Sequence, residues 1–372
     1  MNIGVPLETH GQEHRVGLNP HGVDRLKRHG FDVFIQHGAG ADSHFADEDY
    51  TDSGGTIVFS AEEAYQRGDI VCRISALGED EVDYVRPGSM ICGFHHLAVK
   101  PKKMVEALAE KEVTMLGWEI VENDLGRRPI LTTFSEIAGH LAVHTAACLL
   151  EFDKGGRGIV LGCMPGITPA TVVVLGAGTL GRTAALLLRR LGAQVIVLDR
   201  ELSRLRELSE STKGQIVTAI ASHRDVGRFT AIADVVIGAV LVPGGRAPDL
   251  VTEKMVKNMK PGSVILDLSI DQGGCVETSR PTHPMSPTYQ LHGVTHYCVP
   301  NMTANVPRDA SRALTLSALP YVLEMAKEGA EAAFRADAGL AKGLYMYKGK
   351  IVNEQAATAL DLPYTPLESI LG

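Results

Sequence analysis

The stretch TVVVLGAGTLGRTAALLLRRLGAQVIVLDR, residues 171–200, decides the fold. An apolar β-type run ends at Gly176-Ala177-Gly178, Gly181 follows, and an amphipathic helical pattern begins at once. Gly176 permits a tight turn, Gly178 lets a diphosphate approach the backbone, and Gly181 lets helix and strand pack closely. The helix N-terminus adds unpaired N–H groups and a favourable dipole. A second strand ends in Asp199, whose carboxylate suits the hydroxyls of an adenosine ribose and repels a 2′-phosphate. These features predict a dinucleotide-binding βαβ unit with NAD preferred to NADP. The adjacent Arg200 weakens that preference, because an arginine can hold a 2′-phosphate.

Outward from this unit the alternation continues. Downstream strands are predicted at IVTAI, ADVVIGA, SVILDLS and THYCVPN. Upstream, an earlier series reads as strands at NIGVP, FDVFIQH, DIVCRIS, SMICGFHH and VTMLGWEIV. Helical patterns such as PHGVDRLKRHG and KPKKMVEALAEKE lie between some of them. Strand–helix alternation implies parallel sheets covered on both faces, with ligands at the carboxyl ends of the strands. Between the series lie a helix-rich stretch, FSEIAGHLAVHTAACLLEF, and a glycine-dense loop, GGRGIVLGCMPGITP. The pattern after Pro307 is helical and its tail is too small for a domain, so it is expected to return to the first one. The predicted architecture is α/β: two Rossmann-like doubly wound domains with a cleft between them, the first discontinuous. Residues 1–132 plus 307–372 form the substrate domain and 133–306 the NAD-binding domain.

Composition narrows the class of function. A chain of 372 residues with net charge −8 offers no basic field for nucleic acid or an anionic membrane. No apolar run nears the length of a membrane span, and the N-terminus lacks a signal-peptide pattern. The six cysteines are scattered without a C-x-x-C pair and read as buried thiols in a reducing, cytoplasmic setting. No histidine carries the i, i+4 His-Glu pattern, H-E-x-x-H, of a zinc helix, so no metal is expected. The three histidines of THPMSPTYQLHGVTHY are expected to be solvated, on a surface loop and strand.

Taken together, several stretches resemble the family that unites alanine dehydrogenase with the NAD-binding part of proton-translocating transhydrogenase. They are IGVPLETHGQEHRVGLNPHGV, FHHLA, SEIAGHLA, GGRGIVLGCMPGITPATVVVLGAGTLG, VIGAVLVPGGRAP, SVILDLSIDQGGCVETSRPT and YCVPNMTANVP, spread nearly end to end. The resemblance implies oxidation at the amine-bearing carbon of a small L-amino acid, with NAD as cofactor. It implies cofactor contacts from the glycine loop, Asp199, Ser135, Val240, Leu241 and Asn301. A homo-oligomer, a hexamer by resemblance, is also implied. Partners are otherwise limited to a small amino acid or 2-keto acid.

The same resemblance sorts the candidate catalytic groups. The family's catalytic histidine precedes Leu-Ala, which matches His96 and leaves His95 as a packing or surface residue. An imidazole titrates near neutrality and can pass protons to and from water or an alkoxide. Arg15 matches the substrate-carboxylate clamp, whose planar fork grips a carboxylate through two hydrogen bonds. Asp271, in SIDQGG, follows a strand at its carboxyl end; it would hydrogen-bond the nicotinamide ribose or orient water and amine, with Asp267 the weaker candidate. Glu13 and Glu119 receive no role. The chain departs from the family at DIVCRISALG: Arg73 replaces a first lysine, and Ser75 replaces the second, which binds the substrate's carbonyl end. Three explanations stay open there: a substrate other than alanine, compensation by Arg73 on the same strand face, or impaired catalysis. Phe134 and Pro300, which flank the presumed site, would either reshape the pocket or pack. Alternatives to the dehydrogenase are an opine-type reductase joining an amino acid to a 2-keto acid, and a non-catalytic NAD-binding module.

Overall fold

Strand-forming runs with alternate residues buried on opposite faces need helices on both sides, and the computed structural model shows that arrangement twice. It describes residues 1–9, 13–242 and 245–371. The chain divides into two compact units, one formed by Met1–Phe134 and the stretch from Thr303 onward, the other by Ser135–Val242 and Arg246–Met302. The boundary falls inside the helix Pro129–Leu149.

The first unit is built on β1 (Ile3–Val5), β2 (Val33–Gln36), β3 (Thr56–Val58), β4 (Ile70–Ser75), β5 (Met90–Phe94) and β6 (Thr114–Gly117). The second unit holds β7 (Thr171–Leu175), β8 (Gln194–Asp199), β9 (Val217–Ile220), β10 (Val235–Gly238), β11 (Val264–Asp267), β12 (Thr288–Leu291) and β13 (Val294–Tyr297). The returning tail adds β14 (Leu344–Tyr347) and β15 (Lys350–Ile351) to the first sheet.

The sheet orders are β15-β14-β6-β5-β4-β1-β2-β3 and β12-β13-β11-β10-β7-β8-β9. In each, the first strand has its chain neighbours on one side and the fourth on the other. That reversal opens a crevice at the carboxyl ends of the two central strands, the usual place for a ligand in such a sheet. In the first unit these strands are β1 and β4; in the second, β7 and β10.

The core of the second unit shows why its strands are almost wholly apolar. Val172 and Val174 pack with Ala184, Ala185 and Leu188 of the helix Thr179–Leu191. Val173 and Leu175 face the other way, against Val226, Phe229 and Met255. Both faces are dry, as parallel sheets require, and each such side chain contributes about 1.5–3 kcal/mol by leaving water.

Four details differ from the sequence reading. The sheets are mixed: β14 and β15 run antiparallel in the first, and β12 pairs antiparallel with β13 in the second. The segment expected to expose three histidines forms this β12–β13 hairpin, and His296 is fully buried under the stacked ring of Tyr289. Two thiols, Cys148 and Cys163, are exposed, whereas the other four are buried. The strand β3, short and half-exposed, also escaped the sequence pattern.

Candidate active site

In the second unit the glycine turn has the geometry its spacing predicts. Gly176 has φ +108°, and a Cβ there would lie 2.3 Å from the Ala239 carbonyl oxygen. A Cβ on Gly181 would meet the Gly176 carbonyl oxygen at 1.9 Å. Gly178 faces open space, where a Cβ would meet nothing within 4 Å. It also starts the helix Thr179–Leu191, whose first turn has neither a side-chain cap nor an acidic residue. Bare N–H groups beside an open approach suit a diphosphate.

Asp199 ends β8 and is buried. Its Oδ2 accepts the Ala177 N–H at 2.6 Å and its Oδ1 the Glu201 N–H at 2.8 Å, so the carboxylate ties the glycine turn to the neighbouring strand. Arg200 points into solvent beside Glu201, 3.4 Å away. The arginine that approaches Asp199 is Arg204, at 3.7 Å.

The loops after β10, β11 and β13 are stitched together. Ser269 Oγ accepts the Val240 N–H at 3.0 Å, and the Gln272 amide bonds both the N–H and the carbonyl of Val242. Asp271 Oδ1 accepts the N–H of Asn301 at 2.9 Å, where the backbone has φ 56°. Val240, Asp271 and Asn301 are therefore brought to one edge; Leu241 is exposed beside Val240, and Ser135 is half-buried on the helix Pro129–Leu149. Asp267 is internal, accepting the N–H groups of Ser269, Cys275 and Val276. It anchors the loop that carries Asp271 instead of facing a ligand.

In the first unit the adjacent histidines part company. His95 is fully buried, its Nε2–H donating to the Ile91 carbonyl at 3.1 Å, and burial pushes its pKa down to about 4. His96 is partly exposed, in a left-handed conformation (φ 44°, ψ 48°) that costs a non-glycine residue about 1–3 kcal/mol. Its N–H donates to Glu119 Oε1 at 2.7 Å, and that oxygen also lies 3.7 Å from His96 Nδ1 and accepts the Tyr345 hydroxyl at 2.9 Å. A buried carboxylate thus holds the backbone of the histidine and lies close to its ring. Sequence reasoning gave Glu119 no role, and its link to Tyr345 spans 226 residues.

Arg15 is buried and held on every side. Its Nε and Nη2 donate to the two oxygens of Glu13, at 2.6 and 2.5 Å, and Nη1 donates to Thr303 Oγ1 at 2.7 Å. The flanking backbone is fixed from the helix Pro307–Glu328: Ser311 accepts the Val16 N–H and Thr315 the Asn19 N–H. Ser75, at the end of β4, donates its hydroxyl to Glu13 Oε2 at 2.7 Å. Burial opposes ionisation of Glu13, but the charge of Arg15 and hydrogen bonds from Arg15 and Ser75 outweigh it, and its pKa falls below the usual carboxylate value.

Arg73, expected beside Ser75 as a substrate group, is wholly buried and committed elsewhere. It pairs with Glu8 at 2.9 Å and Glu81 at 3.0 Å and donates to the Tyr65 hydroxyl. The β4–β5 register shifts between Cys72 and Ser75, so the period-two rule that put residues 73 and 75 on one face does not carry through.

An aromatic wall joins the arginine to the histidine. The Arg15 guanidinium lies 5.3 Å from the Phe134 ring centroid, Phe134 meets Phe94 edge-on at 4.8 Å, and Phe94 stacks on His96 at 6.4 Å. Arg15, Phe134, Phe94 and His96 therefore form one continuous chain of contacts within the first unit.

Comparison with known proteins shows the family. Residues 4–138 match the family model "Alanine dehydrogenase/PNT, N-terminal domain", and residues 142–354 match the corresponding C-terminal domain. The chain is 41% identical over 372 residues to an alanine dehydrogenase of Mycobacterium tuberculosis, covering all of both. It is 40% identical over 373 residues to one from Bacillus subtilis, covering 100% of this chain and 98% of that one. A solved L-alanine dehydrogenase superposes with a TM-score of 0.88 at 40% identity, over 97% of this chain and 99% of that one. At this likeness the activity class is NAD-dependent amino-acid dehydrogenase. The chain belongs to the alanine dehydrogenase/PNT family.

Proposed function

We propose that the chain oxidises a small L-amino acid, with alanine the leading candidate, to the 2-keto acid and ammonia. The observation that carries this reading is the continuous arrangement of Arg15, Phe134, Phe94 and His96. Arg15, pre-aligned by Glu13 and Thr303, grips the substrate carboxylate; a fork already held by these three hydrogen bonds loses little freedom on binding. NAD, held by the residues of the second unit named below, would supply the acceptor for the hydride of the amine-bearing carbon. His96 takes a proton from the water that adds to the resulting imine and returns one to the departing nitrogen, while Glu119 favours the imidazolium in between. The balance is amino acid, NAD⁺ and water giving 2-keto acid, ammonium, NADH and a proton.

In the second unit Asp199 is assigned to the adenosine ribose, and Gly176, Gly178 and Gly181 to the diphosphate. Ser135, Val240, Leu241 and Asn301 complete the cofactor contacts, and Asp271 is assigned to the nicotinamide end. The fit of Gly178, open where a diphosphate would lie, supports this. Arg73 is assigned a structural role. A homo-oligomer in the cytoplasm completes the reading, supported by a cluster of exposed apolar side chains around the glycine-dense loop, described below. No helix among the described residues is long and apolar enough to cross a membrane.

The test is a panel of L-amino acids offered to the purified chain with NAD, read as NADH formation. Turnover of alanine above its larger homologues supports the reading; NADH binding without turnover of any member contradicts it.

A further inference from the structure

Tyr345 reaches the histidine from the returning tail. It sits at the irregularity of the β14–β6 pairing, where the register shifts between Leu344 and Met346 and the side chain is re-aimed. Its ring is wholly buried over Gly117, where a Cβ would lie 2.4 Å from the ring's Cε2, so a side chain at position 117 would displace it. Burial and the neighbouring Glu119 push the phenol pKa well above its ordinary value. The hydroxyl therefore keeps its proton and donates it to Glu119 Oε1 at 2.9 Å.

That bond fills the oxygen. A carboxylate oxygen offers two lone pairs, and on Oε1 one takes the Tyr345 hydroxyl and the other the His96 N–H at 2.7 Å. The His96 ring stands off: its Nδ1 is 3.7 Å from Oε1, beyond hydrogen-bond length, and has no hydrogen-bond partner among the described residues. The second oxygen, Oε2, also without a partner among them, is turned towards Gly117, where a Cβ would meet it at 3.1 Å. A buried ring nitrogen beside a carboxylate and yet unbonded needs a cause, and the occupied lone pairs of Oε1 supply one. The other ionisable groups nearby are His95, buried and neutral, Arg128, paired with Glu122 at 2.7 Å, and Arg73 and Lys100, whose charges act on His95.

We propose that Tyr345 is a positioning residue: by occupying a lone pair of Glu119 Oε1 it holds the carboxylate off the ring of His96 and lowers the pH at which the imidazole gives up its proton. The proposal rests on the amino-acid dehydrogenase reading and deepens it. Removing the hydroxyl frees that lone pair, the ring closes on Oε1, and the imidazolium is held more tightly.

Tyr345→Phe tests this, because it deletes the hydroxyl and keeps the ring. NADH formation from L-alanine by the full chain is followed against pH, with and without Glu119→Gln. The expected result is an acid limb of kcat/KM moved to higher pH by about half a unit or more in Tyr345→Phe. In the Glu119→Gln background the same change should move it by less than about 0.2 unit, because the effect passes through the carboxylate. An acid limb that stays in place or moves to lower pH overturns the proposal, as does an equal shift in both backgrounds. NMR titration of the His96 ring reads the same quantity without turnover, and its midpoint should rise in Tyr345→Phe. If no amino acid is turned over while NADH still binds, the dehydrogenase reading falls and this titration decides alone: coincident midpoints overturn the proposal.

Discussion

His95 and His96 show what a single residue's neighbours decide. Both lie just beyond β5, where the left-handed backbone of His96 turns the chain, and the structure puts one in the core and the other against Glu119. Glu119→Gln keeps the shape but removes the charge beside the imidazole. It is expected to lower kcat by about 10- to 100-fold while KM for the amino acid and NADH affinity stay near wild type; a matched change in KM would mean a merely structural role. Arg73 is the contrasting case. Arg73→Met leaves Glu8 and Glu81 buried without their cation, although burial already raises the Glu8 pKa against the pull of Arg73. Urea unfolding should show a loss of about 3–5 kcal/mol. What was legible at this scale was local spacing, the turn at Gly176, Gly178 and Gly181 and the strand that ends in Asp199, whereas His96 was singled out only by the resemblance. Glu13, Glu119 and the burial of Arg73 were not legible, because their partners come from Ser75, Tyr345, Glu8 and Glu81, which only the fold brings near.

Among the elements, long apolar strands were readable and edge strands were not. The β7–β8 pair is buried on both faces and announces itself as two apolar runs. β12 and β15 are short and polar, with alternation too weak to separate them from loop. The hairpin made by β12 hides His296, so a segment rich in histidine is not for that reason solvated. The end of β5 carries a pH consequence. His95 is neutral in the fold, with its pKa pushed by burial to about 4 from an ordinary 6.5. A depressed pKa means that its stabilising share is whole above pH 6.5 and is lost as pH falls towards 4. The slope is at most about 1.4 kcal/mol per pH unit across that window. Unfolding curves at pH 7 and 5 should show this loss, and His95→Gln should remove it.

For the whole molecule, the returning tail is the organising fact. Thr303, Ser311, Thr315 and Tyr345 all come from it, and they brace Arg15, its loop and Glu119. The stretch from Thr303 onward thus completes the first unit, which the sequence suggested only as a helix returning to the first domain. On the second unit, Phe152, Val160, Met164, Ile167 and Leu191 leave apolar surface exposed around the glycine-dense loop, and the Cys163 N–H donates to the Leu191 carbonyl within it. A patch of this kind fits a self-association surface. Ile167→Asp is expected to shift the sedimentation profile to smaller species without changing NADH affinity; an unchanged profile would assign the patch elsewhere.

The most direct measurement is the initial rate of NADH formation from L-alanine by the wild type and by His96→Ala, with NADH affinity measured in parallel. Proton transfer through this imidazole predicts a kcat lowered by about a thousandfold with NADH affinity within about twofold of wild type. A His96→Ala enzyme that keeps its rate to within about tenfold would contradict the account, because the clamp and wall would then serve chemistry carried out by another group.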